Sequence, residues 1–64
     1  MTRAEHINLW LEHNELALNA LKRWSESLIS DDWIRYKEES RIAHRHYGVA
    51  SAMLTKEMKK HNIF

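Results

Sequence analysis

The sequence predicts an all-α fold in which two long helices pack antiparallel as a hairpin. Three observations lead to this prediction. The 64 residues include no proline and a single glycine, the two residue types that most disfavour helix. Apolar residues recur at steps of three, four and seven, the spacing of one face of an α-helix. One polar segment, Ser30-Asp31-Asp32, interrupts this pattern and resembles a helix start.

The first helix is predicted from about residue 3 to residue 29. Thr2, followed three residues later by Glu5, has the spacing of a capping box, in which each residue satisfies a backbone amide of the other. We expect the core of the hairpin to be formed by the apolar stripe of this helix, which consists of Ile7, Trp10, Leu11, Leu18, Leu21, Trp24 and Leu28.

The second helix is predicted at about 31–60, after a turn at about residue 30 and before a short tail, 61–64. Ser30 is a favourable N-cap, and the two aspartates that follow suit the positive end of the helix dipole. Because the link is so short, the two helices must be antiparallel neighbours. This helix contributes to the core through Tyr36, Ala43, Tyr47, Ala50 and Leu54.

Two features of the core can be placed from the antiparallel arrangement. Trp10 should lie toward the open end, level with Ala50 and Leu54. Gly48 lies inside the second helix at a cost of about 1 kcal/mol relative to alanine. It therefore marks either a kink or a close helix contact.

A chain of this length buries only about 60% of its unfolded surface. It contains no cysteine, so neither disulfides nor thiolate metal sites reinforce it. A second set of apolar residues lies off the core stripe and needs another layer of helices, which a homodimeric four-helix bundle would supply. This set, the predicted oligomer or partner contact, is Leu9, Leu16, Ile42, Val49 and Met53, with Trp33 assigned either to it or to the core.

Basic residues concentrate in the second helix. Residues 41–64 carry five lysines and arginines against one glutamate, a net charge of +4, whereas residues 1–30 carry −1. A row of such side chains can follow phosphates, but a mixed-charge helix surface is also ordinary. The candidate contacts for an anion or nucleic acid are Lys37, Arg41, His44, Arg45, Lys56, Lys59 and Lys60.

The histidine spacing predicts no metal site. Ligands on one helix need to be three or four residues apart. His6 and His13 are seven apart, and His44 and His46 are two apart. We therefore expect surface histidines, no cofactor and no metal. Glu57 and His61, four residues apart, are predicted to form a local ion pair.

The length, the two-helix layout and the Met-Thr-basic-x-Glu start resemble the small accessory and regulatory proteins of phages and plasmids. Among these are plasmid copy-number regulators that dimerise as two helical hairpins and bind paired RNA loops. The resemblance implies a dimer. This chain departs from their regular alternation of small and large core residues by carrying three tryptophans, so their RNA-binding residues are not transferred to it.

From these observations we expect a cytoplasmic, non-enzymatic regulatory or adaptor protein that self-associates and binds another protein. A nucleic-acid-binding module is the alternative. A single glycine excludes a glycine-rich phosphate loop, and no motif places a nucleophile on a strained turn. The N-terminus lacks the apolar run of a signal peptide, and no apolar stretch is long enough to cross a membrane.

Overall fold

The computed structural model describes residues 1–61 and consists of two α-helices, α1 (Arg3–Ser27) and α2 (Ser30–Lys60). The helices pack side by side in opposite directions, which confirms the predicted all-helical hairpin. The molecule measures 49 × 21 × 12 Å, and its thinnest dimension is about the diameter of a single helix. The hairpin is therefore one layer thick, with two broad faces that no other element of residues 1–61 covers.

The N-terminus of α1 is held by the predicted capping box, which is confirmed. The backbone N–H of Glu5 donates to Oγ1 of Thr2 at 3.2 Å, and the N–H of Thr2 donates to Oε1 of Glu5 at 3.1 Å. Both hydrogen bonds lower the pKa of Glu5 below its usual value, and the one from the Thr2 backbone has the larger effect. The ionised carboxylate thus satisfies a backbone donor that the helix itself leaves free.

Four alanines form the buried centre of the hairpin: Ala17 and Ala20 from α1, and Ala43 and Ala50 from α2. Their small side chains allow the two helix backbones to approach closely. Larger apolar side chains cannot fit between the helices at these points. They lie beside the line of alanines instead, where they are only partly covered.

Aromatic rings flank the alanines toward both ends of the hairpin. Near the open end, the rings of Trp10 and Tyr47 lie 5.2 Å apart between centroids. Near the closed end, Trp33 contacts Trp24 at 4.9 Å and Tyr36 at 5.3 Å. Tilted arrangements of this kind add stabilisation beyond the area that the rings bury. Aromatic contacts therefore hold both ends of the hairpin.

The predicted core was wrong at five positions, all of which are exposed: Leu11, Leu18, Leu28, Tyr47 and Leu54. The contact line of α1 runs through Ala17 and Ala20, so Leu11 and Leu18 lie to one side of it with 51% and 56% of their surface exposed. The other predicted core residues are buried, as Ala43 and Ala50 are, or half-buried, as are Ile7, Trp10, Leu21, Trp24 and Tyr36.

The link between the helices consists of Leu28 and Ile29, earlier in the chain than predicted, and it is differently built. Helix α1 ends at Ser27 rather than near residue 29, because Leu28 adopts the left-handed conformation (φ 57°) and donates its N–H to the Trp24 carbonyl at 2.8 Å. Leu28 is 72% exposed. Ile29 occupies the N-cap of α2 without a side-chain hydrogen bond. The prediction that Ser30 is the N-cap was therefore wrong, because Ser30 is already helical.

Ser27, the last residue of α1, provides side-chain hydrogen bonds at the link. Its hydroxyl accepts from the N–H of Ile29 at 3.2 Å and donates to Oδ2 of Asp32 at 3.0 Å. The other carboxylate oxygen of Asp32 lies 3.6 Å from Nε of Arg23, and the N–H of Asp32 donates to the Ile29 carbonyl at 3.1 Å. Asp32 thus joins the end of α1 to the first turn of α2.

Helix α2 continues through Gly48, and a Cβ atom built there would meet no atom within 4 Å. The alternative of a close helix contact at Gly48 was therefore wrong. At the C-terminus of α2, Nε2 of His61 lies 3.4 Å from Oε1 of Glu57, which confirms the predicted local pair. The rest of the predicted tail, residues 62–64, lies outside the described residues.

Enlarging Ala20, which is fully buried, should force the helices apart. We expect Ala20→Leu to lower the free energy of unfolding by about 1–3 kcal/mol, the usual cost of overpacking. Ala52→Leu is the matched control, because Ala52 is exposed on α2. Urea unfolding followed by circular dichroism measures both. Equal stabilities of the two variants would contradict the close alanine contact.

The hydroxyl of Ser27, not that of Ser30, should stabilise the link. Ser27→Ala removes two hydrogen bonds and should lower the free energy of unfolding by about 1 kcal/mol. Ser30→Ala, three positions on, should change it by less than about 0.5 kcal/mol. Thermal melts of the two variants provide the comparison. A larger loss of stability in Ser30→Ala than in Ser27→Ala would show that Ser30 is the N-cap after all, as the sequence predicted.

Replacing Gly48 should stabilise the protein. Alanine fits the open space around this position and loses less backbone entropy in a helix. Gly48→Ala should therefore raise the free energy of unfolding by about 0.5–1 kcal/mol. Chemical unfolding tests this, with Ser51→Ala one turn away as the comparison. A destabilised Gly48→Ala variant would reveal a contact made at Gly48 in solution.

Candidate functional site

One broad face of the hairpin carries five exposed large apolar side chains. We call it the leucine face, and it consists of Leu11, Leu18, Trp33, Tyr47 and Leu54. At 100° per residue, the two leucines lie on the same flank of α1. The other three lie on the flank of α2 that adjoins it. The residues predicted as core thus form much of an exposed surface.

A shallow cleft opens on the leucine face near the open end of the hairpin. It has a volume of about 200 Å³ and is lined by Ile7, Trp10, Tyr47, Ala50, Ser51 and Leu54. The cleft brings Trp10 level with Ala50 and Leu54, which confirms the predicted register of the helices. Its lining is mostly apolar, which suits an inserted apolar side chain better than a charged one.

The opposite face carries the residues predicted to contact an oligomer or partner: Leu9, Leu16, Ile42, Val49 and Met53. They lie together on the other side of the alanine line, as expected from the helix period. Only Leu16 and Val49 are exposed, at 43% and 40%, and the rest are half-buried. Trp33, the sixth predicted contact, belongs to the leucine face. This second apolar face is therefore the smaller of the two exposed apolar surfaces.

The seven basic candidates are all exposed: Lys37, Arg41, His44, Arg45, Lys56, Lys59 and Lys60. Within residues 1–61, none of them lies at salt-bridge distance from a carboxylate. Lys56 and Lys59 border an open groove of small residues along the last turns of α2. Their positive charge is available to an anion, and whether they bind one stays a prediction.

Three histidines meet between the helices, an arrangement that the sequence analysis missed. Nδ1 of His6 lies 3.0 Å from Nδ1 of His46, and the ring of His13 stacks on His46 at 6.2 Å between centroids. His13 in turn donates from Nδ1 to Oε2 of Glu39 at 2.6 Å. We call His6, His13, His46 and Glu39 the histidine cluster. The expectation of surface histidines was wrong for these three, which are half-buried.

The spacing rules for a single helix could not reveal this cluster. His6 and His13 are two helical turns apart, and the gap between them is filled by His46 from α2. The signal that could have found it is the i, i+7 spacing of polar rings along the contact stripe. That spacing is too long for one metal ion but suits an inserted side chain from an antiparallel helix.

The geometry of His6 and His46 is that of a hydrogen bond. Their ring centroids are 5.2 Å apart, near the maximum for nitrogens separated by 3.0 Å. The two nitrogens therefore point at each other along one line, whereas two metal ligands would converge on a third point. Among residues 1–61, no group of three or more histidine or acidic side chains is placed to hold a metal ion.

The surroundings of His46 disfavour its charged form. Burial is the largest cause that lowers its pKa, followed by the charges of His6, His13 and Arg45. The side chain carboxylate of Glu39 is engaged by His13. The neutral form of His46 is therefore favoured in the folded chain.

No protein-family model matches the chain, and comparisons with curated proteins and with solved structures gave no match. Neither α1 nor α2, as far as residue 60, has a segment long and apolar enough to cross a membrane.

Proposed function

We propose that this chain is a small non-enzymatic regulatory or adaptor protein that acts by protein–protein binding and pairs with a second copy of itself. The observation that supports the proposal is the leucine face, five large apolar side chains exposed on one side of a single-layer hairpin. A homodimeric four-helix bundle covers such a face by standard helix packing.

The exposed area of the hairpin agrees with this proposal. The folded chain exposes 5157 Å², whereas a compact monomer of 7.7 kDa exposes about 4,300 Å². The excess of roughly 850 Å² is close to the area that each partner buries in a protein–protein interface of standard size. A second copy that buried this area on one face would therefore reduce the exposed area of each chain to that of a compact monomer of the same mass.

Charges beside the leucine face favour one arrangement of the two copies. The outer flank of α2 carries Lys37, Arg41 and His44 next to this face, whereas the outer flank of α1 carries both an acidic and a basic residue, Glu15 and Lys22. Packing α2 on α2 would place two basic rows together, which is unfavourable. Packing α1 of each copy on α2 of the other instead brings Glu15 toward the basic row.

The second apolar face remains outside such a dimer. Leu16 and Val49 are its exposed members, and the two-fold symmetry would present this patch twice, on opposite sides of the bundle. A regulatory or adaptor role is proposed for this surface, with a helical protein segment as the partner, since an apolar helix stripe fits a groove between two helices.

Nucleic-acid binding is the second candidate, and it is favoured by the seven exposed basic side chains of α2, which have no carboxylate partner within the described chain. Such binding weakens steeply as salt rises, because phosphate contacts release counterions. Protein binding through leucine and tryptophan side chains does not weaken steeply as salt rises. Fluorescence anisotropy with labelled RNA or DNA at 50 and 200 mM salt distinguishes the two candidates.

Self-association should depend on Leu18 and not on Leu16. The two leucines lie on the same helix, on opposite faces, with similar exposure, so that glutamate at either position leaves the hairpin itself intact. We expect the parent to sediment as a dimer at micromolar concentration, Leu18→Glu as a monomer, and Leu16→Glu as a dimer. Sedimentation equilibrium measures the three masses, and circular dichroism checks that the helices remain.

Each outcome decides between defined alternatives. A parent that is still monomeric at about 100 μM would refute self-association, because its dissociation constant would then be weaker than that concentration. A dimer that is disrupted by Leu16→Glu and tolerates Leu18→Glu would move the interface to the second apolar face. Loss of helical signal in Leu18→Glu alone would mean that Leu18 supports the hairpin itself.

A further inference from the structure

The histidine cluster supplies the polar side-chain contacts between the helices in the open half of the hairpin. Within residues 1–61, the side-chain hydrogen bonds between α1 and α2 are His6–His46, His13–Glu39 and Ser27–Asp32. The third lies at the closed end, where the two-residue link already keeps the helices together. Near the open end, direct polar contact between the helices depends on histidine side chains.

Two facing nitrogens 3.0 Å apart can share only one proton. With both rings neutral, one Nδ1 donates and the other accepts. If one ring takes up a second proton, a single N–H still lies between the nitrogens and the contact survives. If both rings become charged, two N–H groups face each other and two positive charges lie side by side. The contact then has to break.

The charged groups around the pair do not relieve this repulsion. On α1, His13 stacks on His46, and Glu5, the carboxylate adjacent to His6 in sequence, is engaged in the capping box with Thr2. On α2, Glu39 binds His13, and Arg45 adds a positive charge beside His46. Both neighbouring carboxylates thus already have partners.

We propose that the His6–His46 contact makes the hairpin acid-sensitive, so that the open end separates when both rings become protonated. The separation would expose the alanine line and disrupt the cleft between Trp10 and Tyr47. This inference concerns contacts within one chain, and it does not depend on the self-association proposed above.

The direction of the pH effect follows from the environment of His46. Its pKa in the folded chain is lowered, first by burial and then by the neighbouring positive groups. The unfolded chain therefore binds more protons than the folded chain between the lowered value and the ordinary value of about 6.5. The contribution of neutral His46 to the free energy of unfolding is therefore complete above that pH interval, and it is lost as the pH falls through the interval.

Histidine-to-glutamine variants test the proposal. The melting temperature (Tm) of the full chain is measured by circular dichroism from pH 8 to pH 5, at fixed salt and protein concentration. We expect the Tm of the parent to fall as the pH drops below 7. His46→Gln and His6→Gln should show a smaller fall, because one titrating partner is gone. His44→Gln, an exposed histidine on the same helix, should fall as the parent does.

A second measurement on the unaltered chain covers the case in which a variant does not fold. NMR titration of the histidine rings should give His46 a pKa below about 6.5, together with a change in the Trp10 and Tyr47 signals over the acid end of the titration. A His46 pKa at or above that value would overturn the proposal. So would a His46→Gln variant, folded at pH 8, that loses as much Tm as the parent.

Discussion

The close approach of the two helices at Ala17, Ala20, Ala43 and Ala50 is the constraint on which the rest of the structure depends. Because the buried positions between the helices are all alanines, the hairpin has a very small buried centre. The larger apolar residues are displaced to the two faces. The same feature that lets the helices pack tightly therefore leaves the molecule with more apolar surface than it can bury alone.

Much of the fold could be predicted from the sequence because the signals are local. The capping box at Thr2 and Glu5 depends on two residues three apart, and the structure contains it. The short link dictates antiparallel helices, and their register places Trp10 beside Ala50 and Leu54. These predictions needed only chain connectivity and the helix period.

The face of each helix that lies at the contact could not be predicted from the sequence. Periodicity shows which residues share an apolar stripe, but not which of them lie at the closest contact with the other helix. Leu11 and Leu18 are large apolar residues at the spacing of the stripe, so they were assigned to the core. The closest contact instead follows the smaller residues, and the leucines lie about a third of a turn away. The prediction of the link between the helices failed for a related reason. Ser30 is a better N-cap by composition, but the left-handed Leu28 ends α1 early and brings Ser27 into position.

The candidate surfaces differ in how far the sequence reveals them. The basic side chains of α2 are exposed, since charge is rarely buried without a partner, and their binding to an anion stays a prediction. The histidine cluster was missed, because His46 contacts His13 and His6, which lie 33 and 40 positions earlier in the chain. A pattern search within one helix cannot detect a group assembled from two.

The left-handed conformation of Leu28 also determines the topology of the protein. A leucine in that conformation is strained by about 1–2 kcal/mol relative to the right-handed helical region. If Leu28 and Ile29 took helical dihedral angles, α1 and α2 would merge into one long rod. Two such rods could form the same alanine contacts between chains that the hairpin forms within one, which is domain swapping. The backbone conformation of two residues at the tip, Leu28 and Ile29, thus separates a folded-back monomer unit from an intertwined dimer.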